Sequence, residues 1–89
     1  MQKYGKLYYI CLSNGAPIGF IGQIEDDIRI ATHPDHQGKG IAKFMVNELM
    51  KAHPNCVAKV KIENTASLKL FQSCGFKKKY FILEKKNDS

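Results

Sequence analysis

The fold of this 89-residue chain is decided by residues 32–43, T-H-P-D-H-Q-G-K-G-I-A-K. The stretch joins a strand-like segment, residues 28–31, to a helical pattern that begins at Gly40. A loop of small residues exposes its backbone N–H groups, and the first turn of a helix adds several more that have no partner within the helix. Together they form a nest for phosphate oxygens, to which Lys39 and Lys43 add positive charge. The alternative is a strand-to-helix turn that only needs flexible glycines.

The spacing of the glycines excludes two other phosphate loops. A Walker A loop needs a Lys and a hydroxyl residue directly after its last glycine, whereas Gly40 is followed by Ile41. A dinucleotide fingerprint needs a third glycine, and that position holds Lys43. The spacing that fits is Gln37-x-x-Gly40-x-Ala42, which has the form Q/R-x-x-G-x-G/A.

Hydrophobic patterning around this loop predicts a mixed α/β (α+β) fold. Apolar, β-rich runs separated by turn residues predict three antiparallel strands, at residues 7–12, 16–24 and 28–32. Further along, the pattern predicts a helix over 40–52, a strand over 57–62, a helix over 66–73 and a strand over 76–83. The predicted order is β-β-β-α-β-α-β in a single domain of residues 1–89, with a disordered tail at 84–89.

The topology of these elements places the glycine loop at a ligand-binding position. A long helix between the third and fourth predicted strands requires a crossover, so these two strands should run parallel. The loop then lies at the carboxyl end of the third strand, where ligands bind in sheets of this kind. Asn64 is placed to cap the second helix, and Gly75 is placed to end it.

A second motif lies downstream at residues 63–76, E-N-T-A-S-L-K-L-F-Q-S-C-G-F. It has an Asn at the end of a strand, a short helix with an aromatic residue, and a Gly-Phe pair that opens the last strand. This motif and the Gln37-x-x-Gly40-x-Ala42 loop occur together, in order and in register, in one family. Over residues 17–81 the chain resembles the GNAT superfamily of acetyl-CoA-dependent N-acetyltransferases.

The resemblance implies a site for acetyl-CoA as a co-substrate. The loop and the following helix N-terminus would hold the CoA pyrophosphate, through Gln37, Gly38, Lys39, Gly40, Ile41 and Ala42. The pantetheine arm would lie in a cleft between the third and fourth strands and pair with the backbone of Ile30, Ala31 and Thr32. The N–H of Ala31 or Thr32 would also polarise the thioester oxygen. Asn64 would bind the cofactor arm or the substrate, or else serve only as an N-cap, and Ser67 and Phe71 would lie beside the cofactor.

Two departures from the family pattern bear on catalysis. Many members carry a Tyr four residues before the Gly-Phe pair, where it protonates the departing thiolate, and this position holds Phe71. Ser67, Ser73 or water could protonate the thiolate in place of the Tyr. An acid is also dispensable, because a thiol pKa of ~8.5 makes the thiolate a tolerable leaving group. The two helices that usually form a wall of the acceptor pocket are also absent. Either the site is open, or a second subunit of a homodimer supplies the wall.

The implied reaction is direct attack of an amine on the thioester carbonyl of acetyl-CoA. An amine with a pKa near ~10.4 is almost wholly protonated at pH 7, so a base is useful. Counting back from Gln37 places the carboxylate that some members use at Asp26, beside Glu25 and Asp27; the alternative is a solvated acidic turn. Asp26 and Asn64 are therefore the candidate catalytic residues. The missing Tyr and the missing helices favour a second function, a CoA-binding or regulatory module without catalysis.

Composition and charge narrow the class of protein further. The formal net charge is +6, which favours an anionic partner. Lysines at 77–79 and 85–86 interleave with apolar residues as in an ordinary strand and solvated tail, so we expect no nucleic-acid partner. The three cysteines form no C-x-x-C pair, so we expect reduced thiols and no metal. No apolar run approaches the ~18 residues of a membrane span, and we expect a cytoplasmic protein without a membrane partner.

Overall fold

The computed structural model describes residues 1–38 and 40–85; Lys39 and residues 86–89 of the predicted tail lie outside the described residues. One antiparallel sheet contains four strands in the order β1 (Gln2–Tyr4), β2 (Tyr8–Ser13), β3 (Ala16–Ile24) and β4 (Asp27–Thr32). A short 3-10 turn (Pro34–His36) leads to helix α1 (Ile41–Ala52), and helix α2 follows (Thr65–Ser73). Neither helix of this described part is long and apolar enough to cross a membrane.

Tight turns set the register of the sheet. Asn14 and Gly15, between β2 and β3, have φ values of 52° and 82°. Two consecutive left-handed residues make a hairpin turn whose twist matches that of the flanking strands. Glu25 and Asp26 do the same between β3 and β4, with φ values of 53° and 66°. The predicted three-stranded meander is therefore confirmed, and β1 adds a short, fully exposed strand that the hydrophobic pattern did not indicate.

The core lies between the sheet and the two helices. Its fully buried side chains are Ile21 of β3 and Met45, Val46 and Leu49 of α1. The three α1 residues lie on one helical stripe, as the helical periodicity predicted. Burying a side chain of this size stabilises a fold by roughly 1.5–3 kcal/mol. One face of α1 is thereby anchored on the sheet, with contacts to β3 and β4.

Helix α2 begins and ends at the residues that the sequence indicated. The Asn64 side-chain oxygen accepts a hydrogen bond from the Ser67 N–H at 3.2 Å, which caps the first turn. At the other end Gly75 has a φ of 92°, and the Phe76 N–H donates to the Phe71 carbonyl at 3.0 Å, as in a Schellman motif. The rings of Phe71 and Phe76 meet edge to face with centroids 5.1 Å apart. This apolar contact completes the motif and holds Phe71 in the core.

Two of the predicted strands do not form. Residues 57–62 pair with β4 only through the parallel bridge of Asp27 with Val57. Within the described part of the chain residues 76–83 lie in no strand, and residues 80–83 are largely exposed. Alternating apolar residues favour an extended backbone, but a strand exists only where a second segment supplies the hydrogen bonds. The described order is thus β-β-β-β-α-α, while the mixed α+β class is confirmed.

Candidate functional site

A cleft opens where β4 and residues 57–62 separate. The two segments are joined at one end, where the Val57 N–H donates to the Asp26 carbonyl at 2.7 Å and the Ile28 N–H donates to the Val57 carbonyl at 2.9 Å. Beyond this bridge they are unpaired, and a cavity of about 680 Å³ is lined by both. β4 leads on to the glycine loop, and residues 57–62 lead on to α2. The cleft therefore opens toward the two motifs that the sequence assigned to the cofactor.

Four residues predicted to bind the cofactor line this cavity: Ile30, Asn64, Ser67 and Phe71. Asn64 uses its side-chain oxygen for the α2 cap, which leaves the two N–H groups of its amide for a ligand. Phe71 is only 6% exposed and belongs both to the core and to the cavity wall. Phe71 occupies the position at which many family members are expected to carry a Tyr, so the cleft has an apolar ring there and no hydroxyl.

The two serines of α2 differ in what their hydroxyls reach. The Ser73 hydroxyl donates to the Leu70 carbonyl at 2.7 Å, and Ser73 does not line the cavity. Ser67 lines the cavity together with Phe71. Of the two serines that the sequence offers in place of the missing Tyr, the structure brings Ser67 to the cleft and leaves Ser73 outside it.

The loop between β4 and α1 presents backbone rather than side chains. Gly38 and Gly40 have φ values of 81° and 77°, a region that residues with a side chain adopt only at a cost. The side-chain amide of Gln37 donates a hydrogen bond to the Thr32 carbonyl at 3.4 Å and so connects the loop to the end of β4. Gly40 is the N-cap of α1; no side chain of the described residues caps this helix, and its first turn has no acidic residue. Its first N–H groups are therefore available to an anion.

The remaining described residues of the predicted cofactor site connect the cavity to this loop. Ala31 and Thr32, at the end of β4, line a second cavity of about 320 Å³. The two cavities share Phe20 as a lining residue. Ile41 and Ala42 are half-buried in the first turn of α1. The predicted cofactor residues thus follow one course from the larger cavity, past the end of β4, to the α1 N-terminus.

Asp26, the predicted base, does not line the cavity. It is exposed in the turn between β3 and β4, beside the bridge that closes the cleft, and Glu25 next to it is also exposed. Burial raises the pKa of the Cys56 thiol, and the negative charge of Asp26 acts in the same direction. Of the two candidate catalytic residues, the structure brings Asn64 but not Asp26 into the cavity wall.

Sequence reasoning missed a cluster of charges on the cleft wall. Arg29 and Lys59 line the cavity, and both lie near the Asp27 carboxylate, at N–O distances of 3.4 and 3.7 Å. The Asp27 side chain is 16% exposed, whereas those of Arg29 and Lys59 are 53% and 64% exposed. The available signal was the alternation of Ile28, Arg29 and Ile30, because a charged residue between two apolar ones points to the opposite face of its strand.

Apolar side chains of β2 and β3 form the neighbouring wall, which sequence reasoning also missed. Tyr8 and Phe20 both line the cavity, and their rings meet edge to face with centroids 5.8 Å apart. The Tyr8 ring lies so close to Gly22 that a Cβ at that position would collide with it. Ile24 also lines the cavity and lies two residues after Gly22, on the same face of β3 as Phe20. Phe20 and Ile24 are 43% and 40% exposed, so this wall offers apolar surface to whatever enters the cleft.

Solved structures of two acetyltransferases share this fold. The aminoglycoside N-acetyltransferase AAC(6')-Iy in complex with CoA aligns with a TM-score of 0.73 at 20% identity, over 98% of this chain and 70% of that chain. The ribosomal-protein-S18-alanine N-acetyltransferase from Escherichia coli aligns with a TM-score of 0.70 at 22% identity, over 89% and 57% of the two chains. The fold of this chain is thus that of these two acetyltransferases.

The amino-acid sequence leads to the same family. Residues 4–78 match the family described as "Acetyltransferase (GNAT) domain". The L-amino acid N-acyltransferase MnaT of Escherichia coli strain K12 is 38% identical over an alignment of 63 residues, and the match covers 65% of this chain and 36% of that relative. The chain therefore spans about a third of the length of this curated relative. The protein belongs to the GNAT family of acetyltransferases.

Proposed function

We propose that the protein transfers an acetyl group from acetyl-CoA to a primary amine by direct attack of the amine on the thioester. The observation that carries the proposal is that β4, which lines the cleft, leads directly to the glycine loop and the N-terminus of α1. The helix end offers N–H groups to phosphate oxygens, and the cleft offers a path lined in part by apolar side chains. A cofactor with an anionic head and a long, thin arm matches both features.

In this proposal the cofactor is bound mainly by backbone groups. The pyrophosphate accepts hydrogen bonds from the N–H groups of Gly38, Gly40 and the first turn of α1, while Gln37 holds the loop against β4. Lys39, which lies outside the described residues, remains a predicted ligand. The pantetheine arm runs along residues 30–32 and pairs with their backbone like an added strand.

The proposed reaction forms a bond between the amine nitrogen and the acetyl carbon and breaks the carbon–sulfur bond. The N–H of Ala31 or Thr32 and the Asn64 amide donate hydrogen bonds to the thioester or to the arm beside it. The departing thiolate takes a proton from water, either directly or through the Ser67 hydroxyl, which regains its proton from water. The ammonium formed on the acceptor loses its proton to water. Asp26, whose carboxylate lies outside the cavity wall, stays the predicted base and would receive this proton through water.

A second candidate function is a CoA-binding or regulatory module without catalysis. Phe71 favours it, because an apolar and buried ring stands where many family members carry a proton donor. Both functions use the glycine loop and Asn64, so cofactor binding alone does not distinguish them. Amine-dependent release of the CoA thiol does.

The test has two stages. Thermal unfolding is measured with acetyl-CoA, CoA and ATP, and a ligand at 100 times its Kd should stabilise the protein by about 2.7 kcal/mol. Thiol release is then measured against a panel of amines. Stabilisation by acetyl-CoA with amine-dependent thiol release supports the enzyme. Stabilisation without turnover supports the binding module, and no stabilisation contradicts both functions.

The cellular and quaternary setting follow from the same proposal. We place the reaction in the cytoplasm, which supplies acetyl-CoA and keeps the free thiols of Cys11 and Cys56 reduced. The exposed sheet face around Phe20 leaves two arrangements for the acceptor site, an open cleft or a wall from a second copy. Light scattering distinguishes them, since the homodimer would have twice the 10.1 kDa mass of the chain.

A further inference from the structure

We propose that the acceptor is an amine that also carries a carboxylate and an apolar side chain, and that Arg29 binds its carboxylate. The inference rests on the proposed acetyl transfer and names the substrate class of the same cleft. It comes from the wall formed by Tyr8, Phe20, Ile24 and Arg29, none of which is among the predicted cofactor residues.

The charge on the cleft wall favours an anionic ligand. The charged side chains that line the cavity, in the described part of the chain, are all cations: Arg29, Lys59 and Lys61. One mostly buried carboxylate, Asp27, is shared by two of them at 3.4 and 3.7 Å. At least one positive charge on this wall is therefore left without a balancing carboxylate. A polycationic acceptor would meet like charge here, whereas a carboxylate would be attracted.

Arg29 keeps hydrogen-bond donors for such a ligand. Its contact with Asp27 runs through one terminal nitrogen at 3.4 Å, longer than the ~2.7–2.9 Å of a strong charge-assisted hydrogen bond. A guanidinium presents five N–H donors in a planar fork that fits a carboxylate. Because its side chain is 53% exposed and lines the cavity, the unused donors can reach a molecule in the cleft.

The position of Arg29 separates it from the phosphate-binding loop. Arg29 lies three residues before Thr32, the last residue of β4, which at about 3.3 Å per residue is roughly 10 Å along the strand. The glycine loop lies beyond Thr32, so a pyrophosphate bound there is out of reach of this guanidinium. The positive charge of Arg29 is thus left for the part of the cleft where the acceptor must approach the thioester.

The apolar wall beside Arg29 indicates the other half of the acceptor. The paired rings of Tyr8 and Phe20 lie next to Ile24 on the same face of the sheet, and the latter two are 43% and 40% exposed. A molecule whose carboxylate meets Arg29 can cover this surface with an apolar side chain. Burial of that apolar surface contributes to binding and requires no further polar group of the protein.

The experiment compares L-phenylalanine with L-phenylalaninamide, which share a side chain and differ in charge. The amide has the less basic amine, with a pKa close to the ~7.7–8.0 of a peptide N-terminus, so its chemistry alone is faster at pH 7. A preference of the protein for the acid must therefore come from the cleft. We expect the wild-type kcat/KM, calculated on the concentration of the neutral amine, to be higher for the acid by about tenfold or more, the effect of one hydrogen bond to a charged group.

Variants assign this preference to a residue. Arg29→Gln should lower kcat/KM for the acid by about 10- to 100-fold and leave that for the amide and the KM for acetyl-CoA unchanged. Asp27→Asn, which removes the competing carboxylate, should lower the KM for the acid. Lys3→Gln makes the same change of charge as Arg29→Gln on the far edge strand β1 and should leave both substrates unchanged. Circular dichroism and the Tm establish that each variant is folded.

Equal kcat/KM for the neutral amines of the acid and the amide in the wild type would overturn the inference, as would an Arg29→Gln effect on acetyl-CoA alone. Calorimetric titration of the same two compounds into the CoA-saturated protein separates it from the proposed function. Tighter binding of the acid that is lost in Arg29→Gln, without turnover, would leave the carboxylate site standing while acetyl transfer fails. Turnover of simple amines with no preference for the acid would support acetyl transfer and reject the carboxylate site.

Discussion

A negative charge at Gly40 is the sharpest perturbation of the cofactor site, and an uncharged residue of the same shape controls for it. Gly40 is the N-cap of α1 with a φ of 77°, and a Cβ built there meets no atom within 4 Å. Asn and Asp both tolerate this left-handed backbone better than other residues with side chains, at a cost of about 1 kcal/mol relative to Gly. Gly40→Asn and Gly40→Asp therefore share strain and volume and differ only in charge.

The expected difference follows from Coulomb's law. A carboxylate about 6 Å from one phosphate charge is repelled by roughly 0.7 kcal/mol in bulk water and ~3 kcal/mol at an effective dielectric constant of 20. A pyrophosphate carries two such charges, so Gly40→Asp should bind CoA at least about tenfold more weakly than Gly40→Asn. An acidic residue stabilises a helix N-terminus by about 0.3–1 kcal/mol. Gly40→Asp should therefore be no less stable than Gly40→Asn.

Titration calorimetry with CoA measures this difference, and thermal unfolding of the free variants measures their stability. Gly15 supplies a matched control, because it has a φ of 82°, also has space for a Cβ, and lies in the β2–β3 turn away from the loop. Gly15→Asp and Gly15→Asn should bind CoA equally. If Gly40→Asp binds CoA as tightly as Gly40→Asn, the first turn of α1 does not hold the pyrophosphate and the reasoning fails.

Three further predictions concern the thiolate, the base and the core. Ser67→Ala should lower kcat by up to about 100-fold, the lower end for general acid catalysis, while Ser73→Ala leaves it unchanged; equal effects in a thiol-release assay would refute the assignment. Asp26→Asn should lower kcat/KM at pH 7, and an unaltered kcat/KM would show that the acidic turn is only solvated. The raised pKa of Cys56 should make the protein lose stability as pH rises above ~8.5, because the thiol ionises in the unfolded chain while the folded chain keeps its proton. Urea unfolding at pH 7 and pH 9.5 should show a smaller loss for Cys56→Ala than for the wild type, and equal losses would contradict the shift.

Local signals in the sequence were sufficient for the turns, caps and helices. Asn14 with Gly15 indicated a hairpin, Asn64 indicated the start of α2, and Gly75 indicated its end, and each forms as predicted. These features depend on the conformational preferences and short hydrogen bonds of neighbouring residues, so a few consecutive residues carry the information. The glycine loop belongs to the same class, and Gly38 and Gly40 have positive φ values, which glycine adopts without a steric penalty.

Pairing between distant segments was not predictable in the same way. Residues 57–62 and 76–83 have the alternation of strands, yet in the described structure the first pairs with β4 only at Val57 and the second is unpaired. Alternation reports that a segment can be extended and half-buried, and the partner that makes it a strand comes from elsewhere in the chain. The separation of residues 57–62 from β4 also creates the cleft. The same missing strand pairing therefore explains both the wrong strand prediction and the presence of the candidate site.

The sequence by itself determined the strands β2 to β4, the two helices, the glycine loop and the family, because these depend on residue type and spacing along the chain. Only the tertiary structure decided which side chains meet inside the cleft. Ser67 lines the cavity, whereas the Ser73 hydroxyl donates to a backbone carbonyl. Asp26 lies outside the cavity wall. Arg29 and Lys59 both lie near the Asp27 carboxylate. Distances between side chains depend on how helices and strands pack, and residues far apart in sequence become neighbours only once the core between the sheet and α1 is formed.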